Sequence, residues 1–177
     1  MKFLTIRQPW ASLIAVGAKT IETRPFSTKY RGPLAIHAGK AKPSRDLVQM
    51  GQWLTRWDYR EGRYVMSDGL GKWVALPLGA VAAVCDLIDV VPIVDHKPIH
   101  QYDEPPIPCV DLFIDGAYRW WHHDGGFTDV SDQLPFGDFT PGRFAWLLDN
   151  VRPIDPVPME GASGLRDLPA DILERIR

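Results

Sequence analysis

The chain has 177 residues but only two cysteines, Cys85 and Cys109, and no apolar run near the ~20 residues of a membrane-spanning helix. Two cysteines are too few for a disulfide framework, and the first residues lack the apolar core and cleavage site of a signal peptide. No CxxC, HxxxH or other paired Cys and His spacing occurs, so neither a metal nor another cofactor is expected. These absences favour a reduced, cytoplasmic protein that has no membrane partner.

Acidic residues are almost missing from the first 45 positions. This segment has nine Lys or Arg residues and one acid, Glu22, which gives it a net charge of +8. Because the whole chain has a formal charge of −2, the remaining residues must carry −10. A positive face attracts polyanions even when the whole molecule is mildly acidic. The charge distribution therefore favours a nucleic acid as the partner.

The pattern of apolar residues, prolines and glycines predicts an α+β fold built on a closed or half-closed barrel. The predicted strands cover residues 3–6, 19–24, 32–38, 78–91 and 143–151. The predicted helices run from Pro9 to Gly17, from Pro43 to about Leu54 with Ser44 as the cap, and over Ala170–Arg177. Residues 92–142 are rich in Pro, Gly and Asp, and we expect a loop-rich insertion in a single domain over residues 1–177. This insertion is a lid, a partner surface or packing on the body.

In the run GAKTIETR, the only acid of the basic segment, Glu22, lies between Lys19 and Arg24. On a strand, Glu22 and Arg24 share one face and Lys19 lies on the other. One interpretation is an ion pair at a strand edge with an exposed lysine, which contributes little to stability. The other is a polar site at the mouth of the barrel. There Glu22 acts as a general acid or base, and Lys19 and Arg24 bind phosphate or a developing anion.

The preceding run TIRQPW supplies a second group of candidates. A strand that ends at Arg7 and Gln8 and leads into a helix at Pro9 places polar side chains beside helix N–H groups, which bind anions. Trp10 offers a stacking surface for a base or anchors the helix in the core, and the core is favoured. His37 is expected to be a core histidine. Five further cations are candidates for phosphate contacts or for a solubilising face: Lys29, Arg31, Lys40, Lys42 and Arg45.

Three segments, TIRQPWASLI, GAKTIETR and YRGPLAIHA, resemble the ASCH family, a branch of the PUA-like superfamily. The family pattern G-x-K-x-x-E-x-R falls on Gly17, Lys19, Glu22 and Arg24. The later segments GAVAAVCDLID, RFAWLLDNVRP and GASGLRDL are also similar to the family. The resemblance implies a PUA-like β-barrel with flanking helices, which binds RNA or a nucleotide or nucleoside ligand in the cleft that carries the motif.

Three activities are compatible with these residues. A metal-independent ribonuclease would use Glu22 to take the 2′-OH proton and Lys19 or Arg24 to stabilise the phosphorane. One branch of the family is an amidohydrolase that acts on N4-acetylcytidine with a Lys, a Thr nucleophile three residues later and a distant Glu. These positions fall on Lys19, on Glu22 and near Asp86 or Asp89. The third possibility is an RNA-binding module without catalysis.

Overall fold

The computed structural model describes residues 1–43, 45, 48–50, 52–67, 70–94, 109–112, 118–122 and 127–176. Its elements in chain order are β1 (Lys2–Ile6), α1 (Trp10–Ala15), β2 (Ile21–Arg24), β3 (Gly32–Ala38), β4 (Val48–Met50), β5 (Trp53–Asp58), β6 (Arg63–Ser67), β7 (Val74–Ala75), β8 (Ala80–Val94), β9 (Cys109–Leu112), β10 (Tyr118–Trp121), β11 (Phe127–Asp129), a 3-10 helix (Ser131–Phe136), β12 (Phe144–Pro158), β13 (Leu165–Asp167) and α2 (Ala170–Arg175). Many strands with two short α-helices confirm the α+β class. No closed barrel is found among the described residues, so the PUA-like barrel stays a prediction.

All five predicted strands and two of the three predicted helices are present. The strand predicted over 19–24 begins two residues later, at Ile21. β8 and β12 run further than predicted, to Val94 and Pro158. Within the described residues, no helix is long and apolar enough to cross a membrane.

The helix predicted from Pro43 to about Leu54 is wrong. The described part of this segment contains β4 and the start of β5, while its predicted cap, Ser44, lies outside the described residues. β5 pairs antiparallel with β6, and Thr55 and Trp57 lie opposite Met66 and Tyr64. β-Branched and aromatic side chains suit such cross-strand pairs, and this pairing outweighs the helical spacing of the apolar residues.

The chain divides into two compact units, and each is discontinuous in sequence. The first unit comprises Met1–Lys19, Gly32–Asp86 and Asn150–Arg177, and the second comprises Thr20–Arg31 and Leu87–Asp149. β8 and β12 therefore each contribute residues to both units. The single domain over residues 1–177 stays a prediction.

In the first unit, β1 pairs in parallel with β3 and antiparallel with β13, and β8 lies beside β3. Residues Leu34 to Ala38 of β3 are all buried, as is typical of a strand that is covered on both faces. The core of this unit consists of Phe3, Ala35, Val81, Val84, Val157, Leu168, Ile172 and Ile176. A separate antiparallel sheet has the order β4-β5-β6-β7.

In the second unit, β2 pairs antiparallel with β12, and Glu22 lies opposite Trp146. The end of β8 pairs in parallel with β9, which continues through β10 to β11. The core of this unit consists of Ile21, Val91, Ile93, Val110, Val130, Phe139, Ala145 and Leu147. The expected insertion over 92–142 thus carries regular structure, and its Trp120 packs against this core.

His37 is a core histidine, as predicted, and the chain segment that follows β12 covers it. The ring is fully buried, and its Nε2 lies 3.0 Å from the carbonyl oxygen of Met159, to which we assign Nε2–H as the donor. The N–H of Ala162 donates to Thr5 Oγ1 at 3.1 Å. A Cβ on Gly161 would lie 2.7 Å from His37 Cε1, so only glycine permits this close approach.

Burial of the ring lowers the pKa of His37, and the positive charge of Lys40 lowers it further, while the hydrogen bond to Met159 opposes both effects. The folded protein therefore holds this ring neutral, whereas the unfolded chain binds the proton at the usual value of 6.5. The contribution of His37 to the free energy of unfolding is therefore fully present above pH 6.5. It falls as the pH drops through the lowered pKa of the folded state.

The free energy of unfolding of the wild type should fall between about pH 7 and about pH 5. We expect it to fall less in His37→Gln, by up to ~1.4 kcal/mol per pH unit. Denaturant unfolding at both pH values measures this difference, with His122→Gln as the control. Carboxyl groups whose pKa is lowered titrate below this range, since their usual value is 3.8; they are Asp58, Asp138 and Asp167. An identical pH dependence in wild type and His37→Gln would contradict the assignment.

Candidate functional site

The glycine of the family pattern ends α1 and sets the path into Lys19. Gly17 has φ +76°, its N–H donates to the carbonyl of Ile14 at 2.8 Å, and the N–H of Ala18 donates to that of Leu13 at 3.0 Å. This is a Schellman motif, and a side chain at the left-handed position costs about 1–2 kcal/mol. The N–H of Lys19 also donates to Leu13, at 3.1 Å, so the end of the helix fixes the lysine backbone.

Lys19 is completely buried, with 0% of its surface exposed. The interpretation of an exposed lysine beside an ion pair is therefore wrong. An ammonium group removed from water costs several kcal/mol unless nearby groups compensate its charge. Lys19 has no surface to offer an RNA phosphate in this conformation, which distinguishes it from the other cations of the basic segment.

Glu22 and Arg24 form the ion pair that their positions on one strand face predict. Arg24 Nε lies 2.9 Å from Glu22 Oε1, and the two side chains are 22% and 8% exposed. Loss of the cation beside such a buried carboxylate strongly destabilises a protein, because the negative charge is then left uncompensated. Arg24 has the more exposed side chain of the pair.

Gln133, which the sequence gives no reason to select, fixes the start of β2. Its Oε1 accepts hydrogen bonds from the N–H groups of Thr20 at 2.7 Å and Ile21 at 3.3 Å, and its Nε2 donates to Asp132 at 3.1 Å. The side chain is buried, and it lies more than 100 residues from its partners along the chain. No local pattern reveals such a contact.

Further contacts from the same unit hold β2 and the residues that follow it. Asp138 N–H donates to Thr23 Oγ1 at 3.0 Å, and Arg143 Nη2 donates to the carbonyl of Thr23 at 3.3 Å. Arg143 also pairs with Asp138 at 3.3 Å. Beyond the strand, Trp146 Nε1 donates to the carbonyl of Phe26 at 3.2 Å. The strand that carries Glu22 is thus fixed before, along and after its length.

Gln8 is a structural residue at the start of α1. It is buried, its Nε2 donates to Ser12 Oγ and to the carbonyl of Pro77, both at 2.8 Å, and its Oε1 accepts the N–H of Ser12 at 3.1 Å. The N–H of Ala11 donates to the carbonyl of Arg7. α1 has only six residues. The N–H groups of Ala11 and Ser12 thus have acceptors within the chain and are not free for an anion, while the predicted anion site as a whole stays a prediction.

The cations predicted to contact nucleic acid differ in their partners. Arg31 is bound through Nε and Nη2 to Asp89 Oδ1 at 3.1 and 2.7 Å, and Lys40 lies 3.7 Å from Glu160. Four others are exposed and have no carboxylate partner in the part of the chain that the structure describes: Arg7, Lys29, Lys42 and Arg45. Trp10 is half-buried, so the structure leaves its stacking role a prediction.

Other groups with catalytic chemistry have structural surroundings. Asp86, one candidate for the distant acid, accepts a hydrogen bond from Asn150 Nδ2 at 2.9 Å, and Asp89, the other, is paired with Arg31. Burial raises the pKa of Cys85 to about 12, which keeps it a neutral thiol and a poor nucleophile. Among the described residues, no group of three or more His, Cys, Asp or Glu side chains is placed to hold a metal.

The family model of the ASCH domain matches residues 4–155. The chain belongs to the ASCH domain family. The match includes all four positions of the G-x-K-x-x-E-x-R pattern, so the family resemblance seen in the sequence is confirmed. No curated protein matches the chain significantly. ASCH domains are generally associated with RNA binding.

We expect Gln133→Ala to destabilise this ASCH domain by about 1–3 kcal/mol, because two backbone N–H groups lose their acceptor. Gln52→Ala, at an exposed position, is the matched control and should change the unfolding free energy by less than about 0.5 kcal/mol. Denaturant unfolding measures both. Equal stability of the two variants would show that Gln133 does not hold β2.

Proposed function

We propose that this ASCH domain binds RNA and that four exposed cations, which have no carboxylate partner among the described residues, contact the phosphate backbone. The observation that carries the proposal is the state of Arg7, Lys29, Lys42 and Arg45. All four are exposed, and none has a carboxylate partner among the described residues. They belong to the segment of net charge +8. Cations that neutralise phosphates release counterions from a nucleic acid, which supplies most of the sequence-independent affinity.

Within this proposal, the G-x-K-x-x-E-x-R segment supplies a fixed polar group. Arg24, at 22% exposure, is its cation with surface available to a ligand, and Glu22 holds the guanidinium in place. Lys19 is completely buried, so it does not touch a phosphate in this proposal. The PUA-like barrel and a cytoplasmic location belong to the same proposal, and family membership and composition support them.

We expect the triple variant Arg7→Gln, Lys29→Gln, Lys42→Gln to lose RNA affinity by about 10-fold or more at low salt. The matched control replaces three other exposed cations, Arg152, Arg166 and Arg175, by Gln and changes the net charge equally. Fluorescence anisotropy with labelled RNA measures the dissociation constants. An equal loss in both triple variants would reduce the proposal to an effect of total charge. Absence of RNA binding by the wild type would overturn it.

A second candidate activity is RNA cleavage, for which the Glu22–Arg24 pair supplies a carboxylate in contact with a cation. Glu22 would take the proton of a ribose 2′-OH, and the 2′-oxygen would attack the adjacent phosphorus. The bond to the 5′-oxygen would break, which leaves a 2′,3′-cyclic phosphate and a 5′-hydroxyl that receives the proton. Arg24 would stabilise the charge of the phosphorane.

For cleavage, we expect Glu22→Gln to remove the activity, because the amide keeps the size of the carboxylate but does not accept a proton. Gel analysis of labelled RNA should show cyclic-phosphate products with the wild type only. Glu174→Gln, at an exposed position on α2, is the control and should cleave like the wild type. Intact RNA after incubation with the wild type, with and without divalent cations, would rule the nuclease out.

Amide hydrolysis of a modified nucleoside stays a prediction from the resemblance. Glu22 occupies the position of the Thr nucleophile, and a carboxylate is a poor nucleophile toward an amide. Asp86 and Asp89 have partners of their own. No described contact favours this activity over RNA binding.

A further inference from the structure

The antiparallel sheet β4-β5-β6-β7 of the first unit concentrates aromatic side chains that the RNA proposal does not use. Three of the seven tryptophans in the chain lie between residues 53 and 73, namely Trp53, Trp57 and Trp73. Tyr59 and Tyr64 lie in the same segment, and Tyr59 is 78% exposed. Tyr64 is buried and packs edge to face against Trp57, whereas Trp53 and Trp73 are half-buried.

The strand register places exposed cations together on one face of this sheet. Arg56 lies opposite Val65, and Arg63 lies opposite Asp58. Arg56 and Asp58 are two residues apart on β5, and Val65 and Arg63 are two residues apart on β6. Residues two apart on a strand share a face, so Arg56 and Arg63 project to the same side. Both are exposed. Lys72, in the segment that leads into β7, is exposed as well.

Two arginines of this region stack on tryptophans. The Arg56 guanidinium carbon lies 4.4 Å from the ring centre of Trp73, and that of Arg45 lies 5.1 Å from the ring centre of Trp57. Within the described ranges, neither arginine has a carboxylate in ion-pair distance. A guanidinium stacked on an indole is held flat and retains one open plane.

The acids near these cations are used locally. The Asp58 carboxylate accepts the N–H groups of Arg60 and Glu61 at 2.9 and 3.2 Å, which closes the turn between β5 and β6 and lowers the pKa of Asp58. Glu61 lies 3.6 Å from Arg63. Residues 45–75 contain five cations and four acids, a net charge of +1, and two of these acids, Asp58 and Glu61, are engaged as just described.

We propose that this sheet is a stacking surface for single-stranded RNA, centred on the Arg56–Trp73 stack. Bases stack on aromatic rings and on arginine planes, while neighbouring cations track the backbone. The open plane of Arg56 takes a base, and Arg63 and Lys72 contact phosphates. A duplex hides its base faces, so single strands bind more tightly. The inference rests on the proposed RNA binding and adds to it a second set of contact residues, which does not include Arg7, Lys29 or Lys42.

The test measures the affinity for a labelled single strand of about 15 nucleotides by fluorescence anisotropy. Arg56→Lys keeps the charge but removes the plane, and we expect a loss of about 5-fold or more. Trp73→Leu should lose a similar factor, and Trp73→Phe, which keeps a ring, should retain most of the affinity. Arg152→Lys, at an exposed position of β12, is the control for the exchange itself and should bind like the wild type. Circular dichroism checks that each variant is folded.

The outcomes separate this inference from the proposed function. If the wild type binds no RNA, both are overturned. If the Arg7, Lys29 and Lys42 triple variant loses affinity while Arg56→Lys and Trp73→Leu do not, only the stacking surface is overturned. Equal affinity of the wild type for single strands and duplex would also overturn it. So would an equal loss of inorganic polyphosphate binding in Arg56→Lys, since polyphosphate has no bases.

Discussion

The burial of charged side chains is the constraint on which the structure of the G-x-K-x-x-E-x-R segment depends. Lys19 has no exposed surface and Glu22 has almost none, although they stand only three residues apart in the chain. Charged groups tolerate such burial only when their positions are fixed and their charges compensated. The turn at Gly17 fixes the lysine backbone, and Gln133 fixes the start of the strand that carries Glu22. The family pattern is therefore first a structural requirement, on which any chemistry at Glu22 and Arg24 is built.

The nine bases of the first 45 residues fall into classes that the charge count alone does not separate. Lys19 is buried, and a second class is paired with acids, namely Lys2, Arg24, Arg31 and Lys40. Four remain exposed without a carboxylate among the described residues, namely Arg7, Lys29, Lys42 and Arg45. Only this last class offers its full charge to a polyanion. The proposed binding to RNA therefore uses residues outside the G-x-K-x-x-E-x-R pattern more than the pattern itself.

Local patterns predicted the parts of the structure that local interactions decide. The apolar runs gave β1 and β3, the glycine after Val16 gave the end of α1, and the alternation along β2 gave the Glu22–Arg24 pair. The spacing of apolar residues in the segment of β4 and β5 predicts a helix. The strand that pairs with β5 is β6, which lies outside this segment, so the segment alone does not reveal the pairing. Gln133 could not be selected, since its partners lie more than 100 residues away. The burial of Lys19 could not be predicted either, because a charged side chain is expected at the surface unless its surroundings are known.

The salt dependence of RNA affinity tests the central claim most directly, because it counts the phosphates that the exposed cations neutralise. Each contact to a single strand contributes about −0.7 to the slope of log K against log salt concentration. Three or four contacts therefore predict a slope between about −2 and −3. A slope near zero, with affinity unchanged by salt, would contradict the account.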